Sequence, residues 1–164
     1  MSDIRIIKNY RDEEQFRESF NDLAKKVFSL DFENWYQNGY WTDRYIPYSV
    51  VVDGKVVSNI SVNLTDFEWN GEKKHLIQLG TVMTDDAYRN QGYSRMIMEE
   101  IEKDYAGKVV AITGFKNEDI KDEQYLMFLK YAKKYNCKVH CLGMTRKKVL
   151  DKVPFDYVDS SSWV

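Results

Sequence analysis

Residues 79–98 read LGTVMTDDAYRNQGYSRMIM. An apolar strand pattern at its start runs into Arg89-Asn90-Gln91-Gly92-Tyr93-Ser94, and a helical pattern follows at once. From Ser94 to Tyr105 the apolar Ile97, Met98, Ile101 and Tyr105 share one face, while Glu99, Glu100, Glu102 and Lys103 lie elsewhere. A helix that starts directly after a strand turns unpaired N–H groups and the positive end of its dipole toward the connecting loop. That makes the junction a natural cradle for an anion such as phosphate. Gly92 lets backbone amides come close to such a group, and Arg89 adds charge. The loop is not a Walker loop, because no Gly-Lys-Ser/Thr follows, nor a dinucleotide fingerprint, because G-x-G-x-x-G is absent. The alternative reading is a tight turn that ends in a helix cap.

Downstream, Gly107 ends the helix and Val109–Ile112 is a continuous apolar run, the pattern of a strand buried on both faces. Strand, helix and strand in that order imply a right-handed parallel crossover. A further helix is expected over Asp122–Tyr135, with Tyr125, Phe128, Leu129 and Ala132 on one side. Lys138–Thr145 and Phe155–Val158 read as closing strands, and RKKVLDKV between them as a helical turn or a loop. Upstream, Tyr48–Val52 meets Lys55–Val62 across Asp53-Gly54. That second strand continues toward Trp69, where Asn70-Gly71 turns it into His75–Thr84. Both dipeptides supply the positive φ angles of two-residue hairpin turns, so the middle of the chain is an antiparallel meander.

A short strand at Ile4–Ile7 opens the chain. A helix comes next, carrying Phe16, Phe20, Leu23, Ala24, Val27 and Phe28, and Asp12, Glu13 and Glu14 favour its N-terminal dipole. After Leu30 comes DFENWYQNGYWTDRYIPY, with seven aromatics from Phe32 to Tyr48, read as a short helix and then an irregular segment ending near Pro47. The fold class is therefore α+β (mixed α/β): a central mixed, mostly antiparallel sheet with helices on both faces, in a single domain over residues 1–164.

Composition bounds the function. With 164 residues one domain is the default, and 24 Lys+Arg against 26 Asp+Glu give a net charge of −2, which argues against a nucleic-acid coat. The 24 aromatics and 43% hydrophobic content exclude a disordered chain. The N-terminus lacks the pattern of a secretory signal, and no apolar run exceeds four residues, so no membrane span or membrane partner is expected. Cys137 and Cys141 flank His140, but a zinc site would need a fourth ligand and the other histidine, His75, is remote. Two ordinary thiols in a reducing, cytoplasmic setting are the expectation, with no metal.

Strand, then Arg-x-x-Gly-x-Ser at Arg89, Gly92 and Ser94, then an amphipathic helix and a parallel strand, resembles the coenzyme A signature of the GNAT N-acetyltransferase superfamily. That family carries Gln/Arg-x-x-Gly-x-Gly/Ala, and the order of elements matches over most of the chain. The resemblance implies a GNAT-like acyl-CoA N-acyltransferase fold and an acyltransferase using acetyl-CoA (coenzyme A). It places pantetheine along the main chain of Val82, Met83 and Thr84, and the pyrophosphate on the amides of Asn90, Gln91, Gly92, Tyr93, Ser94 and Arg95 beside Arg89. It points to Asn117 as a further cofactor contact and to Tyr125 as the acid that protonates the leaving thiolate. Ser94 departs from the family's Gly or Ala, but it is small and suits a helix cap.

After Ile112 the pattern departs from the family. Alignment on the helix end puts Ala132 at the acid position, alignment on Asn117 favours Tyr125, and Tyr131 and Tyr135 are further options, as is water. The acceptor is expected to be a primary amine on a small molecule, amino acid or peptide. Trp35, Tyr36, Tyr40 and Trp41 are the residues to line its cleft, since aromatic faces attract ammonium groups; the bland reading is that most of this segment packs a helix on the sheet. Glu68, Glu33 and Asp31 are candidate bases, each of which is equally read as a solvated carboxylate, and His75 as a turn end. Two other readings stand beside the transferase: a coenzyme A-binding module without turnover, and an interaction domain. Pairing of two chains through strands near Val139 or Val158 is open.

Overall fold

The computed structural model describes residues 2–113 and 121–159. Its strands are β1 (Ile4–Lys8), β2 (Tyr45–Val52), β3 (Lys55–Trp69), β4 (Glu72–Thr84), β5 (Val109–Thr113), β6 (Lys138–Leu142) and β7 (Tyr157–Val158). They form one mixed sheet in chain order. The helices are α1 (Glu14–Phe28), α2 (Phe32–Gln37), α3 (Tyr93–Asp104), α4 (Asp122–Lys134) and the single turn α5 (Lys147–Leu150). Two compact units divide the chain: residues 1–64 with 80–98, and residues 65–79 with 99–164.

In the first unit, β1 pairs antiparallel with β2 and β2 with β3. Asp53 and Gly54 take φ +49° and +82° between β2 and β3, the double left-handed geometry expected of that turn. β2 begins at Tyr45, so Pro47 lies inside a strand and not at the end of an irregular segment. The reason is register: β1 pairing stops at Lys8↔Tyr48, so the missing Pro47 N–H interrupts no ladder there. Tyr10, Phe20, Leu23, Ala24, Trp41, Tyr45, Val51, Val56 and Met83 form the core of this unit. The Asp31 side chain caps α2 by accepting from the Glu33 and Asn34 N–H groups.

In the second unit, β4 pairs parallel with β5 at Ile77↔Val110 and Gln78↔Ala111. β5 with β6 and β6 with β7 are also parallel, so the parallel share of the sheet is larger than the meander alone implies. The closing strands are shorter than their sequence pattern. Gly143 turns the chain with φ +70° after Leu142, and the Asp156 carboxylate accepts from the Val139 N–H where a strand residue would pair. Cys137 and Cys141 are buried free thiols, and burial raises Cys141 to about 12, leaving it unreactive. Glu102 on α3 is fully buried with neither carboxylate oxygen hydrogen-bonded among the described residues. Burial, with Glu99 adding to it, pushes its carboxyl up to about 8.

Candidate functional site

The loop after β4 is fixed at its start. Asp85, almost wholly buried, accepts from Lys26 Nζ at 2.8 Å and from the Ala87 N–H at 3.1 Å, while its own N–H donates to the Val57 carbonyl at 2.9 Å. The Lys26 contact holds the Asp85 carboxyl below its ordinary value. Past the 3-10 turn Asp86–Tyr88, Asn90 takes φ +64° and Gly92 φ +79°. The helix opens at once, with the Met96 N–H donating to the Gly92 carbonyl at 3.1 Å. The N–H groups of Tyr93, Ser94 and Arg95 thus precede the helical ladder, as the first turn of any helix requires. A Cβ added to Gly92 would meet nothing within 4 Å, so its backbone angle demands the glycine and open space lies above it.

Around that space Arg89, Asn90, Gln91, Gly92 and Arg95 are exposed. Arg89 Nε lies 2.9 Å from Asp86 and keeps half its side chain in solvent. Tyr93 is buried, and its hydroxyl donates to Gln91 Oε1 at 2.9 Å. Ser94 lies within the first turn of α3 and does not cap it, because the helix starts one residue earlier. Its hydroxyl instead sits 3.2 Å from Thr84 Oγ1, which is 2.8 Å from Ser58 Oγ. That contact ties the helix start to the end of β4. On β4 itself Val82 is 48% exposed while Met83 is buried in the core. Thr81, just before them, takes φ +47°, a conformation that a β-branched residue rarely adopts.

The aromatic segment is built differently. Trp41, Tyr45 and Tyr48 are core residues, and the Trp41 indole N–H donates to the Tyr45 carbonyl at 3.1 Å. Phe32 and Trp35 pack on Trp41 and Tyr45, with the Trp35 and Trp41 rings stacked at 6.0 Å. One face of Tyr36 is covered by the protein's own cation, Arg17, at 4.0 Å from the ring centre. Among the four proposed lining residues, Tyr40 alone is exposed, at 66%. Beside it lies an open depression of about 550 Å³, lined by Asp12, Tyr36, Gln37, Gly39, Trp41 and Asp43 among others. Two of the three carboxylates named as bases are otherwise engaged. Glu33 is held below its ordinary value by Gln37 and Arg17, and Asp31 by Lys25 and the α2 amides.

In the second unit Tyr125 is fully buried in the first turns of α4, and its hydroxyl accepts from Arg146 Nη2 at 3.1 Å. Arg146 Nη1 binds Asp122 at 2.7 Å. Burial raises the phenol above its ordinary value, and Arg146 opposes that rise. The Tyr135 hydroxyl donates to Glu99, Tyr131 is half-buried, and Ala132 is buried; Asn117 lies outside the described residues. Glu68 is exposed, and His75 sits within β4 bound to Asp66 at 2.7 Å, so it does not end a turn. Among the described residues no three His, Cys, Asp or Glu side chains gather as metal ligands, and no helix is long and apolar enough to cross a membrane.

Sequence reasoning missed Arg146, Thr81 and the buried Asn59. The available signal was the run VVSNISV at 56–62, where Ser58, Asn59 and Ser61 interrupt an otherwise apolar strand.

A strand, a positive-φ loop opening a helix and a parallel strand after it are thus in place, and comparison with known proteins gives the family. The acetyltransferase (GNAT) family matches residues 7–119, and the chain belongs to that family. Among solved structures, the chain is similar to an aminoglycoside acetyltransferase from an uncultured soil metagenomic sample, solved in complex with sisomicin. They share 16% identity at TM-score 0.56, covering 79% of this chain and 87% of that one. It is also similar to a conserved protein of unknown function from Enterococcus faecalis V583, described as a probable N-acyltransferase, at 20% identity and TM-score 0.55. That match covers 65% of this chain but 27% of the other, so the chain spans about a quarter of that relative's length. No curated protein matches the chain.

Proposed function

We propose that the protein transfers acetyl from acetyl-CoA to a primary amine by direct attack on the thioester. The observation that carries this is the loop: exposed Arg89 and Arg95, left-handed Asn90 and Gly92, and three leading helix amides around open space. That donor set fits a pyrophosphate, which backbone N–H groups at a helix start bind with the help of the dipole. When bound, acetyl-CoA supplies an activated acetyl thioester.

The chain's own groups then have three tasks. The amides of Asn90–Arg95 hold the pyrophosphate, and the main chain of Val82–Thr84, beyond the last β4–β5 pair at Gln78, receives the pantetheine arm. A main-chain N–H near Met83 donates to the carbonyl oxygen as it gains charge, an effect worth about 3 kcal/mol in oxyanion sites generally. Tyr125 is the proposed acid: its oxygen accepts from Arg146, so its proton is not the one used in that contact. A thiol leaving group has a pKa of about 8.5, so protonation assists but is not essential. The amine, with a pKa of about 10, must lose a proton first, and with Glu33 and Asp31 engaged elsewhere water is the proposed carrier. The proposed acceptor depression is the one lined by Tyr36 and Trp41, with Tyr40 adjacent in sequence and Trp35 stacked on Trp41. Two buried thiols suit a cytoplasmic setting.

Complete burial of Tyr125 favours a second reading, a coenzyme A-binding module that turns over slowly or not at all. Calorimetric titration with acetyl-CoA, followed by thiol release in a screen of primary amines that includes sisomicin, separates the two. Binding with turnover supports the transferase and binding alone supports the module. No binding at millimolar acetyl-CoA removes both.

A further inference from the structure

A connected set of polar side chains lies inside the first unit. Ser49, Asn59 and Ser61 are wholly buried, and Tyr10 and Tyr45 nearly so. The Tyr10 hydroxyl lies 2.6 Å from Ser49 Oγ, which donates to Asn59 Oδ1 at 2.9 Å. Asn59 Nδ2 donates to Ser61 Oγ at 2.9 Å and to the Thr81 carbonyl at 2.8 Å. The Tyr45 hydroxyl lies 2.6 Å from Thr81 Oγ1.

Burying an amide and several hydroxyls is unfavourable unless each finds a partner, and an apolar strand would fill the same space without that demand. Here the partners are found, and two arms of the network end on one residue. Asn59 grips the main-chain oxygen of Thr81 and Tyr45 its hydroxyl. Thr81 is also the residue of β4 that leaves regular geometry, at φ +47°. A left-handed residue within a strand interrupts the pleat and re-aims the residues after it, and the strained backbone persists only where its surroundings over-determine it. The residues re-aimed here are Val82–Thr84, whose far end is itself tied through Thr84 to Ser58 and Ser94.

We propose that Asn59 and Tyr45 are positioning residues for acetyl transfer: by clamping the carbonyl and hydroxyl of Thr81 they hold its left-handed backbone and so fix the aim of the Val82–Thr84 main chain at the thioester. The catalytic meaning of this clamp rests on the transferase reading. Neither side chain touches the reacting atoms.

The test uses the full chain in five forms: wild type, Asn59→Leu, Tyr45→Phe, and each of these two combined with Thr81→Gly. Glycine adopts positive φ freely, so it replaces the clamp by removing the need for it. Two readouts are taken: thiol release from acetyl-CoA with water as acceptor, and amide hydrogen exchange at Val82–Thr84. Asn59→Leu is expected to slow thiol release about tenfold and Tyr45→Phe about threefold, each with faster exchange at those amides, while acetyl-CoA affinity changes less than threefold. Adding Thr81→Gly is expected to restore at least half of each loss. A network that merely satisfies the core would give double variants no better than the singles, because glycine restores no contact, and that result overturns the positioning role. If Asn59→Leu fails to fold, the Tyr45→Phe pair, which keeps the ring, decides alone. Wild type that does not bind acetyl-CoA overturns the transferase reading instead, and with it the catalytic meaning of the clamp.

Discussion

The loop at residues 89–95 and the aromatic segment at residues 32–48 are opposites in construction. In the loop, Asn90, Gly92 and the first amides of α3 turn polar groups toward open space and few of the side chains hold one another. In the aromatic segment the rings satisfy each other: Trp41 meets Phe20, Phe32, Trp35, Tyr36 and Tyr45 within about 6.3 Å, and Arg17 covers Tyr36. A site made of backbone is encoded by its own few residues. Whether a side chain is available depends on partners contributed from elsewhere in the chain.

Substitution puts that contrast under pressure. The largest effect is expected from Trp41→Ala, which empties the middle of the aromatic core and should lower unfolding free energy by about 3–5 kcal/mol in denaturant titrations. A loss below about 1 kcal/mol would mean that the ring is available to a ligand after all. Gly92→Asp should leave the fold largely intact while weakening acetyl-CoA about a hundredfold in calorimetry, about 2.7 kcal/mol, because it sets a carboxylate against the pyrophosphate. Unchanged affinity would move the site elsewhere.

Glu102 sharpens the contrast from a third side, as a buried polar group with no hydrogen-bond partner among the described residues. Its carboxyl is raised to about 8 in the folded protein from an ordinary value of 4.5. The folded state therefore holds a proton that the unfolded state has released. The stabilisation is complete below the unfolded value and is lost as pH rises through about 8. Between pH 5 and pH 9 the wild type should lose on the order of 4 kcal/mol relative to Glu102→Gln, read as diverging melting curves; parallel curves would show that the carboxyl is solvated. The smallest effect on stability is expected for Tyr40→Ala, under about 0.5 kcal/mol for an exposed ring. Its signature should be a raised KM for the amine with kcat unchanged, and no change in KM would remove Tyr40 from the acceptor wall.

The sequence made some elements legible and hid others for identifiable reasons. The hairpin turns were readable because Asp-Gly and Asn-Gly announce positive φ, and Asn70 and Gly71 indeed take +51° and +78°. The loop after β4 was readable for the same reason, and Asn90 and Gly92 take +64° and +79°. Pro47 was misleading because its tolerance depends on where the neighbouring strand stops, and Ser94 because the start of its helix was one residue off. Tyr40 and Trp41 are adjacent and chemically alike, yet one is exposed and the other buried, a distinction that only long-range packing makes. Thr81 gave no signal, since its left-handed angle is imposed by Asn59 and Tyr45 from two other strands. The C-terminal strands read as strands, but their parallel direction is set by the crossovers and not by their own residues.

The two-residue turns also set a timetable for folding. Val52 and Lys55 are three positions apart and close β2 on β3 through local contacts, whereas Ile77 and Val110 are 33 positions apart and must wait for a long loop to close. Loop-closure entropy and contact order both make the second event slower. In pulsed hydrogen exchange during refolding, β2 and β3 amides should be protected before those of β5 and β6, and simultaneous protection would show that crossover and hairpin form together. A loop that lies between an early hairpin and a late crossover therefore gains its final shape only when the slower of the two is complete.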